Sequence, residues 1–83
     1  MLVSSIVVTL ASDPATARRA VDRLHEDPRI TLGEAHGMHL PAVLETESLR
    51  EAAELVDSLF DWAGIQFVDL VMADFSECTG ANA

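Results

Sequence analysis

Apolar residues recur at every second position in several stretches of the chain, which is the period of a β-strand. Val3 to Leu10 is rich in β-branched residues and apolar on both faces, so it predicts a central strand. Met38 to Glu45 and Ile65 to Ala73 show the same alternation, and Arg29 to Glu34 is a shorter strand candidate. Pro41 cannot donate to a strand ladder. We therefore expect it to mark a bulge, the entry of a strand, or a site at which a backbone N–H would face no partner.

Two other stretches have the period of an amphipathic helix. The first follows Ser12-Asp13-Pro14, which offers an N-cap and a proline at the first helical position. It is expected to end by Asp27-Pro28, because the residue before a proline disfavours the α region. Its apolar stripe comprises Ala17, Ala20, Val21 and Leu24.

The second helix is predicted from Leu49 to Trp62. Ser48 followed three residues later by Glu51 is a capping-box signature, and Gly64 offers the left-handed position after the last turn. Its expected apolar positions are Leu49, Ala52, Ala53, Val56, Leu59, Phe60 and Ala63.

The elements therefore follow in the order β-α-β-β-α-β. Two interleaved right-handed β-α-β crossovers predict an α+β, ferredoxin-like fold, with a four-stranded antiparallel sheet in the order 4-1-3-2 and both helices on one face. At 83 residues the chain is one domain, expected over residues 1–77 with a flexible tail at 78–83. The core sets expected under the helices are Ile6, Val8 and Leu10 in the first strand and Val68, Leu70 and Met72 in the last.

The charge balance narrows the range of partners. The net charge is -9, from 14 acidic residues against five arginines and no lysine. Nucleic acid and anionic lipid are attracted by Lys and Arg, so we expect no nucleic-acid partner and no direct membrane binding, and we expect cationic partners instead. Leu2 to Ala11 is too short to cross a bilayer and no basic residue precedes it, so we expect a cytoplasmic protein.

Few residues suggest chemistry. Cys78 is the single cysteine, so no internal disulfide can form. His36 and His39 have no third ligand at a clear spacing, and we interpret them as solvated turn residues. The carboxylates are dispersed and no glycine-rich phosphate loop is present. We therefore expect no enzyme activity, no catalytic residue, no metal and no cofactor.

The side of the sheet that the helices leave uncovered is more informative. It is expected to be semi-apolar, which is typical of a docking surface, although burial in a homodimer would also account for it. The residues expected there are Val3, Ser5, Val7, Thr9, Val43, Phe67, Asp69 and Val71.

Several segments together resemble the NapD family, small cytoplasmic chaperones of periplasmic nitrate reductase assembly. They are VSSIVV at residues 3–8, a glycine-led strand that ends in Val43-Leu44-Glu45 before a serine-started acidic helix, and Gly64-Ile65 leading into Val68-Asp69-Leu70-Val71. The resemblance implies a ferredoxin-like fold. It also implies a chaperone that binds the twin-arginine signal peptide of a cofactor-loaded reductase and delays Tat export until maturation.

On this resemblance, the uncovered face of the sheet would receive the signal peptide. Val3, Ser5, Val7, Thr9, Val43, Phe67 and Val71 would form the apolar contact, and Glu45, Asp69 and Asp74 would pair with the arginines. The alternative is a small-molecule-binding regulatory module of the ACT type, which acts as a dimer. For the chaperone we expect a monomer or a weak homodimer.

Overall fold

The computed structural model describes residues 1–75, with side chains as far as Val71. The elements are β1 (Leu2–Leu10), α1 (Pro14–Glu26), β2 (Ile30–Leu32), β3 (His39–Thr46), α2 (Leu49–Leu59) and β4 (Ile65–Phe75). Cys78 and the expected tail at 78–83 lie outside the described residues.

The four strands form one sheet in the order β2-β3-β1-β4. Every neighbouring pair is antiparallel. This is the strand order predicted from the sequence, and the α+β, ferredoxin-like architecture is confirmed.

Burial alternates strictly along β1, where the even-numbered residues are buried and the odd-numbered ones are half-buried. The buried side chains of the sheet meet those of both helices in one apolar core. Its members are Ile6, Val8, Leu10, Ala20, Leu24, Ile30, Leu40, Ala42, Leu44, Leu55, Leu59, Ile65 and Val68. Because the two helices supply one side of this core, they cover one face of the sheet and leave the other open.

Side chains cap both helices at their N-termini. Asp13 accepts from the Thr16 N–H at 3.0 Å and from the Thr16 hydroxyl, and these hydrogen bonds hold the pKa of Asp13 below its usual value. At α2, Ser48 Oγ accepts from the Glu51 N–H at 3.1 Å, and the Glu51 carboxylate accepts from the Glu47 N–H at 2.8 Å. The predicted capping residues are thus confirmed.

Helix α2 is shorter than predicted and turns a different stripe inward. It ends at Leu59, so the expected end at Trp62 is wrong. Its buried residues are Ala52, Leu55 and Leu59, whereas Leu49, Ala53 and Phe60 are exposed. Residues 52, 55, 56 and 59 have the i, i+3, i+4, i+7 spacing, which identifies Leu55 as the core position that the sequence prediction missed.

Gly64 has a packing role rather than the predicted left-handed one. Its φ is not positive, and Gly37 is the one described glycine with a positive φ. A Cβ at Gly64 would lie 2.5 Å from the Ala20 Cβ and 2.5 Å from the Thr16 carbonyl oxygen. Gly64 therefore lets the start of β4 approach α1 closely.

Pro41 lies in β3 without a bulge. It pairs with Val7 in an unbroken register, and its carbonyl accepts from the Gly33 N–H at 2.8 Å. The side of β3 that faces β2 therefore lacks one donor at Pro41, and β2 ends at Leu32, next to this position. Neither a bulge nor a strand entry is found, since the register is unbroken and Pro41 is the third residue of β3. Its missing N–H is on the side of Gly33.

The register of β4 against β1 shifts near the centre of β4, between Leu70 and Met72. Leu70 pairs with Ile6 and Met72 pairs with Ser5, so Val71 is an extra residue in β4. A bulge of this kind bends the strand that contains it. Leu70 is 58% exposed in this edge strand, so its assignment to the core is wrong, whereas Val68 is buried as predicted.

Candidate functional site

The open face is the side of the sheet away from the helices. We define it by the odd-numbered residues of β1 and by the residues next to them in β3 and β4. Its half-buried members are Val3, Ser5, Val7, Thr9, Pro41 and Val43, and its exposed members are His39, Glu45, Phe67, Asp69 and Val71. The seven residues predicted to form an apolar contact all have described side chains and lie on this one surface.

A shallow groove of about 260 Å³ runs across the open face. Val7 and Ser5 form its floor on β1, Pro41 and Val43 form one side, and Val71 forms the other. Val71 reaches the groove as the extra residue of the β4 bulge, and it is 63% exposed. The groove is therefore lined mainly by apolar residues, three of which are valines.

Two carboxylates with described side chains, those of Glu45 and Asp69, lie along the same surface, and a third acidic residue, Asp74, has a register position there. The register places Glu45 and Asp74 on either side of Val3, at one end of the open face. Asp69 pairs with Val7, next to the groove. Directly opposite residues of antiparallel strands share a face, so Glu45 and Asp69 project on the same side as the groove. For Asp74 the structure gives the register position but not the side chain.

Phe67 extends the apolar surface at the opposite end. It pairs with Thr9 and is 49% exposed. Its ring meets that of Phe60, from the end of α2, edge to face at 5.6 Å between centroids. This contact joins the open face to the helix layer around the edge of β4 and fixes the position of Phe67.

The arginine side chains lie elsewhere. None of the five arginines belongs to β1, β3 or β4. Among the described side chains, neither Glu45 nor Asp69 forms a salt bridge. The open face thus presents carboxylates that no arginine of the described chain neutralises.

Arg29, one of these arginines, forms salt bridges with two carboxylates away from the open face. It binds Asp27 through two side-chain hydrogen bonds, of 2.8 and 3.1 Å, and it binds Glu51 at 3.0 Å. These bonds raise the pKa of Arg29 and lower the pKa of Asp27. The pKa of Glu51 is lowered first by the hydrogen bond from the Glu47 N–H and then by Arg29. This network ties the end of α1 to the start of α2, away from the open face.

A second arginine is held by an aromatic ring. The guanidinium of Arg23 lies over the ring of Trp62, with 3.9 Å from its central carbon to the ring centroid. Trp62 is half-buried and packs against the core, so this contact joins Arg23 of α1 to the residue that lies between α2 and β4.

Sequence reasoning missed two contributors to the groove. Pro41 pairs with Val7 on the open face, and the alternation of β3 contained that signal because residues 39, 41 and 43 share one side. Gly33 lines the same groove, and a Cβ there would lie 3.1 Å from the Pro41 Cγ. No local sequence signal predicts a contact between these two residues, because it depends on how β2 meets β3.

Within residues 1–71, the structure contains no cluster of three or more His, Cys, Asp or Glu side chains that could hold a metal ion. No helix of the described chain has the length and apolar character needed to cross a membrane. No family model, curated protein or solved structure matches this sequence.

Proposed function

We propose that this protein is a cytoplasmic chaperone whose open face binds a twin-arginine signal peptide. The client would be the catalytic subunit of a periplasmic nitrate reductase, or a similar cofactor-loaded enzyme whose export must wait for maturation. The observation that carries the proposal is an uncovered apolar groove with unneutralised carboxylates beside it. No chemistry by this chain is required.

The dimensions of the open face suit such a peptide. From Val3 to Thr9 the surface spans seven residues, and the six steps between them measure about 20 Å at roughly 3.4 Å per residue. The apolar region of a signal peptide has about 7 to 15 residues, which as a helix would be about 10 to 22 Å long. One helical apolar region would therefore cover the groove and reach Phe67.

Charge favours this occupant over a second copy of the chain. Two chains that each have a net charge of -9 repel one another, and a contact between two open faces would bring Glu45 and Asp69 of both copies together. A peptide with paired arginines would instead neutralise these carboxylates. Each exposed pair contributes only about 0 to 1 kcal/mol, so apolar burial would supply most of the affinity and charge would speed association.

Neighbouring residues of β4 provide a matched test of the groove. Val71 lines the groove, whereas Leu70 pairs with the core residue Ile6 and does not line it, and both are about 60% exposed. Val71→Asn and Leu70→Asn therefore make the same type of change at similar exposure without altering net charge. Full burial of a valine contributes about 1.5 to 3 kcal/mol. Because 63% of Val71 is exposed and can still be buried, the peptide would gain about 0.9 to 1.9 kcal/mol there, and 1.4 kcal/mol is tenfold in affinity. We expect Val71→Asn to weaken binding of the signal peptide by about 5- to 30-fold, and Leu70→Asn to change it less than about twofold.

Carboxylate variants test the polar half of the site. Asp69→Asn removes a charge beside the groove, and Glu54→Gln removes one from the exposed surface of α2. We expect Asp69→Asn to reduce the salt dependence of peptide binding, while Glu54→Gln retains the wild-type slope.

Equal losses in the Val71 and Leu70 variants would contradict the groove as the binding surface. Retained affinity in both would contradict it as well. A stable dimer that dissociates when the open face is mutated would favour the regulatory alternative.

A further inference from the structure

The segment between β2 and β3 forms a tight hairpin that brings two histidines opposite each other. The His36 N–H donates to the His39 carbonyl at 2.8 Å, and the His39 N–H donates to the His36 carbonyl at 3.0 Å. Gly37, the first residue of the two-residue turn, has φ +63°. Met38 has no positive φ, so the turn is of the II′ type, which needs glycine at its first central position.

This hairpin holds the two imidazoles within reach of a single ion. Residues that exchange both hydrogen bonds in an antiparallel pair point to the same face, with their Cβ atoms roughly 4.5 to 5.5 Å apart. A metal ion lies about 2.0 to 2.1 Å from a histidine nitrogen, so two ligating nitrogens are at most about 4.2 Å apart. Both side chains are exposed, so each ring can rotate to bring one nitrogen to that distance. Because the hydrogen-bonded turn already fixes the backbone between the two histidines, metal binding has little backbone freedom left to restrict.

We propose that His36 and His39 form a two-imidazole site for a divalent transition-metal ion, with Cu²⁺ bound most tightly. Imidazole suits Cu²⁺, Ni²⁺ and Zn²⁺, and affinity for a given nitrogen site is highest for Cu²⁺. No third side chain of the described residues completes the site, so water fills the remaining positions. The net charge of -9 raises the local concentration of cations around the hairpin. This site lies at the Thr9 end of the open face, and none of the observations that support it rests on the proposed peptide-binding function.

The probe is Cu²⁺ alone, titrated into the full chain. The third histidine, His25, is exposed on α1 and supplies the matched control. All variants carry Cys78→Ser, because a thiolate also binds copper. Binding is followed by calorimetry and by the broadening of amide NMR signals, since paramagnetic Cu²⁺ broadens the residues nearest to it.

We expect one Cu²⁺ to bind per chain. Sub-stoichiometric Cu²⁺ should broaden the amide NMR signals of His36, of His39 and of the two turn residues between them. His36→Ala and His39→Ala should each weaken binding at least about tenfold, because losing a ligand should cost no less than the roughly 10- to 100-fold that losing an outer-shell partner costs. His25→Ala should leave the affinity within about twofold. Unchanged far-UV circular dichroism without metal confirms that the variants remain folded. Equal affinity in all three variants, or broadening centred on other residues, would show adventitious binding and would overturn the proposal.

Discussion

Gly64→Ala tests the claim that β4 begins in close contact with α1. The added Cβ would lie 2.5 Å from both the Ala20 Cβ and the Thr16 carbonyl oxygen. Carbon atoms in contact are normally about 3.5 to 4.0 Å apart, so a gap of roughly 1 Å must open between the two elements. Neither obstacle is the flexible end of a side chain, and α1 must therefore shift as a unit.

The expected cost is at the upper end of the range for overpacking, about 3 kcal/mol. At about 0.05 to 0.15 kcal/mol per residue, a chain of 83 residues has a total stability of roughly 4 to 12 kcal/mol. The substitution should therefore lower Tm by about 12 to 24 °C. Urea denaturation followed by circular dichroism measures the change in the free energy of unfolding.

Gly37→Ala is the matched control. Nothing lies within 4 Å of a Cβ at Gly37, but its φ is +63°, so its cost comes from backbone conformation and amounts to about 1 to 2 kcal/mol. If Gly64→Ala proves as stable as the wild type within about 1 kcal/mol, the close approach of β4 to α1 is refuted.

Three further substitutions test local features. The pKa of Asp27 is lowered in the folded chain, so its contribution to stability is present above its unfolded value near 3.8 and is lost as the pH falls through the folded value. As the pH is lowered, the free energy of unfolding should thus fall less steeply for Asp27→Asn than for the wild type, and equal slopes would contradict the pairing of Asp27 with Arg29. Pro41→Ala restores an N–H that faces Gly33, and hydrogen exchange should show new protection at residue 41; rapid exchange there would contradict the pairing. Asp13→Ala removes the N-cap of α1 and should cost about 1 kcal/mol in urea denaturation, and no measurable change would refute the cap.

Strand order and the side of each residue in β1 and β3 were predictable because they follow from local periodicity. Alternation placed Val7 and Val43 on the open face, and the capping signatures at Asp13 and Ser48 marked the starts of both helices. These features depend on a few consecutive residues, so the sequence contains them directly.

The errors lie where tertiary contacts override the local pattern. Leu70 fits the alternation of a core residue and pairs with the buried Ile6, but it lies in an edge strand and remains 58% exposed. No sequence signal marks the bulge that follows it at Val71. Gly64 resembles a helix terminator, whereas its need for glycine arises from α1, more than 40 residues earlier in the sequence. The failure to predict Leu55 as a core residue has a different cause, because its helical spacing from Ala52 and Leu59 is visible in the sequence.

The central claim is that the open face binds a twin-arginine signal peptide. Calorimetric titration with such a peptide and with its Lys-Lys variant, at low and moderate salt, tests this most directly. The account predicts micromolar or tighter binding that weakens with added salt and with replacement of the arginines, because lysine cannot form the bidentate pair with a carboxylate. Absence of binding to both peptides would contradict it.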